Sequence, residues 1–179
     1  MTDIDARLAI MLATRESSRD PKAFFLDLAD LVARDAAEAF GRQIDEVGIL
    51  MVSQDGTCLR FIAPRKLCDL GTIPLTKRDS IAVSVFIRRV GEANNNVPLV
   101  RHVAFFESVK LADRVQPIMK MVTVPIVSDG AVIGVAQVSK KGDTLAAAGP
   151  DFSAQDIHRV ISYFDGVARF LLAARPDRF

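Results

Sequence analysis

The sequence predicts an α+β domain in which an antiparallel sheet carries helices at its sides. Three observations lead there. Asp55-Gly56 and Asp129-Gly130 are two-residue hairpin signals, each between apolar runs that read as strands. Strands and helices do not alternate regularly along the chain, which argues against a doubly wound parallel sheet. Two long amphipathic segments, 20–41 and 153–174, bracket the strands.

Taken in order, residues 3–16 form a short helix. Ile4, Leu8, Met11 and Leu12 share one stripe by i, i+4, i+7, i+8 spacing. Asp20 caps a second helix with Pro21 at its first position, and Gly41 closes it. Phe24, Leu28, Leu31, Val32, Ala36, Ala39 and Phe40 are its core side. Residues 47–52 and 58–63 form the first hairpin, and 71–75 a short strand that Pro74 places at an edge. Asp79-Ser80 caps a helix through Ile81, Val85, Phe86 and Val90.

Residues 91–117 are the least regular stretch. Asn94-Asn95-Asn96 and Pro98 spell a loop, and Phe105, Phe106, Val109 and Leu111 a short helix tucked beneath it. Residues 118–128 and 131–139 form a hairpin that is apolar on both faces, so both faces should be covered. A tight turn at Asp129-Gly130 would set Ile126 opposite Ile133 and Val124 opposite Val135. The last helix starts at Ser153, with Asp156 completing a capping box and Phe152 and Ile157 a hydrophobic staple.

Composition limits the function. Half of the 179 residues are hydrophobic, enough for one aliphatic core without staples. Cys58 and Cys68 are too few for a disulfide framework, so reduced thiols and a cytoplasmic protein are expected. The acidic start lacks the pattern of an export signal, and no apolar run is long enough for a membrane helix. Residues 1–56 hold 6 Lys/Arg against 11 Asp/Glu, whereas 57–120 hold 11 against 5. This asymmetry suits an anionic ligand or self-association, with plain solvated surface as the bland alternative. The basic residues form no block and no nucleic-acid motif, so no nucleic-acid partner is expected.

The run Val122-Thr123-Val124-Pro125-Ile126-Val127, Asp129-Gly130, Val132-Ile133-Gly134-Val135-Ala136-Gln137-Val138, Lys140-Lys141 and Phe152-Ser153-Ala154-Gln155-Asp156 resembles the end of a GAF domain. With the helix at 20–41 and the first hairpin, the resemblance covers roughly residues 20–175. It implies a central antiparallel sheet of about six strands, N- and C-terminal helices on one face, and a small-molecule pocket between the sheet and the irregular middle segment. Residues 1–19 would then be an added helix whose exposed stripe drives homodimerisation, and 176–179 a tail. Without a neighbouring output domain, a signal would pass through a signalling partner or a dimer.

Cyclic-nucleotide-binding members of that family carry Asn-Lys, a spacer, then Phe-x-x-x-Asp-Glu. Lys140, Phe152 and Asp156 match, but Ser139 and Ile157 replace the Asn and Glu. The match therefore implies a structural Lys140–Asp156 salt bridge rather than a nucleotide. The pocket is expected between residues 80 and 123, with Ser80, Asn95, Arg101, His102, Phe106, Met119 and Thr123 as ligand-binding candidates. Ser80 at a helix N-terminus and Arg101 suit an anion. The competing reading is an adaptor dimer whose pocket is closed by Phe105, Phe106 and Met119.

A thiol enzyme similar to the free methionine-(R)-sulfoxide reductases is a third reading. The stretch Asp79-Ser80-Ile81-Ala82-Val83 lacks the Cys that such enzymes carry there. His102 and His158 have no metal-ligand spacing, and no catalytic set is recognisable. A non-enzymatic sensory domain is the leading expectation, with no cofactor assigned.

Overall fold

The computed structural model describes residues 3–69, 72–100, 116–177 and 179. Asp3–Ala13 is α1 and Pro21–Phe40 is α2. The Asp20 carboxylate accepts from the Ala23 amide at 2.9 Å to start α2, and Gly41 ends it at φ 62°. Val47–Val52 (β1) and Cys58–Ala63 (β2) form the first hairpin, and Thr72–Pro74 is β3. Ile81–Arg88 is α3, capped by Ser80. Glu92–Asn94 is β4, Ile118–Ser128 is β5, Ala131–Lys141 is β6, and Ala154–Ala174 is α4.

The strands form one antiparallel sheet in the order β3-β2-β1-β6-β5-β4. Strand alternation divides its side chains between two cores. Val47, Ile49, Met51, Val122, Val124, Ala136 and Val138 face α1, α2 and α4. Leu50, Leu59, Phe61, Met121 and Val135 face the other way, against α3 and Val97. Both faces of the long β5–β6 hairpin are thus covered.

Three details depart from the sequence reading. The hairpin register holds at Ser128↔Ala131 and Val127↔Val132, then slips, so that Ile126 lies opposite Gly134 and Val124 opposite Ala136. Ile133 is the extra residue of the resulting bulge. Second, β4 lies inside the stretch read as loop, pairing Glu92 with Thr123. Third, the stripe on α1 is not exposed. Leu8 is fully buried and Ile4 nearly so, packed against α2 and α4, with Met11 and Leu12 half-buried beside them. The apolar stripe therefore completes the monomer's own core.

Glycine is required at one point of this sheet. A Cβ on Gly134 would lie 2.1 Å from the Leu50 carbonyl oxygen, so only hydrogen allows β6 to pair there with β1. No helix among the described residues is long and apolar enough to cross a membrane.

Candidate functional site

Between the sheet and the start of α3 lies a cavity of about 70 Å³. Its floor is the pocket-side face of four neighbouring strands: Phe61 on β2 and Gly48 on β1 at one side, Gln137 and Ser139 on β6 in the centre, and Met121 on β5 at the other. Ser80, Ile81 and Ala82 form its roof, and Val97 and Ile118 close the flanks. Asp45 and Glu46 stand in its wall from the turn before β1.

The polar groups here are few and mostly buried. Ser80 caps α3, accepting from the Val83 amide. Gln137 is 7% exposed and its Nε2 donates to Thr123 Oγ1 at 3.3 Å. Ser139 Oγ donates to the Glu46 carbonyl at 3.1 Å, fixing that turn against β6. The Glu46 carboxylate accepts from the Gln43 and Lys141 amides. Asp45 pairs with Lys141 and Lys66. Burial pushes the Asp45 carboxyl up, but the two ammonium groups outweigh it and hold its pKa below the ordinary value. The acidic pair in the wall is thus spoken for by the protein itself.

The sequence candidates fare differently. Ser80 lines the cavity. Thr123 stands cross-strand beside Gln137, bonded to it rather than lining the space. Met119 is buried but is absent from the lining, where Ile118 and Met121 stand instead. Asn95 is engaged elsewhere: its Nδ2 donates to the Phe152 carbonyl at 3.0 Å and its Oδ1 accepts from the Phe152 amide at 2.8 Å. Arg101, His102, Phe105 and Phe106 lie outside the described residues. Sequence reasoning missed Gly48, Gln137 and Ser139. Their signal was the alternation of β6, where Gln137 and Ser139 interrupt an apolar face opposite a side-chain-free Gly48.

The expected Lys140–Asp156 salt bridge is not formed within 4.0 Å. Lys140 Nζ donates to the Pro150 carbonyl at 2.7 Å and sits 4.2 Å from the Phe152 ring centre. Asp156 instead closes the capping box with Ser153. Burial, and then Arg42, lower the Lys140 pKa, with Asp156 partly offsetting them through space. The ion pair that ties the sheet to the segment before α4 is made by Lys120, cross-strand from Lys140.

Neither cysteine lines the cavity. Cys58 is buried on β2. Burial raises its thiol pKa, but hydrogen bonds from Ser53, Arg60 and Thr57 outweigh this and leave it below the ordinary value. Cys68 is half-buried and burial pushes it up. No cluster of His, Cys, Asp and Glu among the described residues could hold a metal ion.

No family model matches the chain, and no curated protein does. Solved structures do match. The GAF domain of a phosphoenolpyruvate-protein phosphotransferase from Coxiella burnetii is similar at 13% identity and a TM-score of 0.62, covering 97% of this chain and 95% of that one. A methyl-accepting chemotaxis protein fragment is similar at 20% identity and 0.59, covering 92% and 96%. A type II free methionine-R-sulfoxide reductase from Thermoplasma acidophilum is similar at 17% and 0.58, covering 85% and 95%. The fold is that of a GAF domain. These likenesses establish architecture alone, because one fold hosts both binding domains and enzymes.

Proposed function

We propose that the protein is a non-enzymatic sensory domain that binds a small molecule between α3 and the sheet. The observation that carries the reading is the cavity itself. It is largely apolar, yet a helix N-terminus and a buried amide converge on it. Neighbours with this fold include the GAF domain of a two-component sensor histidine kinase, which supports a regulatory role. Binding would shift an equilibrium that a separate signalling partner, or a second copy of the chain, reads out. The thiol-enzyme reading is disfavoured because Cys58 and Cys68 stand away from the cavity. Two free thiols suit a reducing, cytoplasmic setting.

Thermal unfolding against a panel of small carboxylates, amides, amino acids and nucleotides tests this. A true ligand at a hundredfold excess over its Kd stabilises the fold by about 2.7 kcal/mol. A protein that none of them stabilises would instead be the adaptor with a closed pocket.

A further inference from the structure

The cavity's unpaired polar atoms specify more than a small molecule. At the roof, the Ile81 and Ala82 amides are the first two of α3 and have no hydrogen-bond acceptor among the described residues. The next amide, Val83, is taken by Ser80 Oγ, which leaves the Ser80 hydroxyl proton free to donate. Ser80, Ile81 and Ala82 all line the cavity and all are buried, so bulk water does not satisfy these donors. Two backbone donors and a hydroxyl at a helix N-terminus suit a carboxylate.

An independent feature lies on the floor. Gln137 is 93% buried by its 7% exposure, and its Nε2 is used by Thr123. Its Oε1 accepts no hydrogen bond among the described residues, although a buried amide oxygen ordinarily has a donor. That oxygen needs an N–H or O–H from whatever fills the space. Phe61, Val97, Ile118 and Met121 make the rest of the lining apolar, apart from Ser139 and the wall carboxylates of Asp45 and Glu46, which are already held by Lys141, Lys66 and backbone amides. The size is restrictive as well. At about 70 Å³ the enclosed space suits only a compact ligand.

We propose that the cavity takes a compact carboxylate bearing a hydrogen-bond donor beside the carboxyl group, a 2-hydroxy or 2-amino acid. Its carboxylate meets Ser80, Ile81 and Ala82, and its hydroxyl or amino group meets Gln137 Oε1. The proposal rests on the small-molecule reading above and narrows it to a ligand class.

Calorimetric titration of the full chain with lactate, alanine, propionate and pyruvate tests the assignment, with amide NMR to locate binding. Lactate or alanine should bind about tenfold more tightly than propionate, which matches lactate but lacks the donor. Gln137→Met should erase that preference, bringing the lactate-to-propionate affinity ratio to about one. If the variant does not fold, the lactate-to-propionate ratio in the unaltered chain decides alone. Equal affinities for lactate and propionate would overturn the ligand class while leaving a small-molecule site. So would tighter binding of pyruvate, which would mean that the amide presents its N–H₂ to the ligand. If no probe, 1-propanol included, moves the Ile81 and Ala82 amide signals, the site reading itself fails along with the class.

Discussion

Lys120 and Asp151 meet at 2.6 Å, and the same ammonium donates to the Gly149 carbonyl at 2.6 Å. Lys120 stands on the helix-facing side of β5, in register with Val122 and Val124, and is almost completely buried. A charge in that position is tolerable only because the segment before α4 folds back to satisfy it. Together with Lys140 on the Pro150 carbonyl, it anchors three successive residues, 149–151, to the sheet.

Removing Asp151 should therefore cost less than removing Lys120. Asp151 is mostly exposed, so Asp151→Ala leaves an ammonium that still holds Gly149, at a cost of about 1 kcal/mol. Lys120→Ala strands the Gly149 carbonyl and opens a gap, at about 2–4 kcal/mol. Urea unfolding of the two variants gives the ranking directly, and equal costs would contradict it.

Asn95 and Phe152 exchange two hydrogen bonds across the molecule, tying the end of β4 to the residue before the α4 cap. Asn95→Ala should destabilise by about 1–3 kcal/mol, because it orphans both backbone groups of Phe152. Asn95→Asp keeps the acceptor half and should cost less. Ligand affinity should be unchanged in both, since Asn95 does not line the cavity.

Two glycines in paired strands should behave oppositely. Gly134→Ala drives a methyl into the Leu50 carbonyl and should cost about 3 kcal/mol or more. A Cβ on Gly48 meets only ordinary contacts, 3.5 Å from Phe61 and 3.8 Å from Gln137. Gly48→Ala should raise stability by about 0.5–1 kcal/mol while shrinking the cavity and weakening any ligand. Thermal unfolding with and without ligand separates the two effects.

The Asp45 pairs add an acid-sensitive element. The folded-state pKa of Asp45 lies below the ordinary 3.8, so its contribution is present above 3.8 and lost as pH falls through the folded value. The Asp45 side chain is one-third exposed, so the contribution is no more than about 1 kcal/mol after screening. The stability gap between the natural chain and Asp45→Asn should narrow as pH falls from about 5 through the folded value. A gap that widens on acidification would show the sign to be wrong.

Much of the fold was legible because its signals are local. Asp20, Pro21 and Gly41 mark the ends of α2, Ser153 and Asp156 start α4, and both Asp-Gly turns sit where the strands reverse. What depends on partners distant in sequence was not. β4 is three residues long and half-buried throughout, with no period to detect. The bulge at Ile133 reflects how β6 fits between β1 and β5. The α1 stripe looked like an interface only because its partners, α2 and α4, cannot be seen in residues 3–13. Lys120 gave a usable hint, a lone charge in an apolar register demanding a partner, yet the nearby Lys140 drew the assignment. At the site, Ser80 was legible as a cap, whereas Gln137 needed the face of β6 to be known first.

The central claim is that a small molecule binds between α3 and the sheet. Its most direct test is the amide NMR spectrum of the full chain, recorded while a stabilising compound from the thermal panel is added. The account predicts saturable shifts concentrated at Gly48, Ile81, Ala82, Met121 and Gln137, the residues around the cavity. Shifts confined to α1, α2 and α4 on the opposite face, with the cavity residues unmoved, would contradict it.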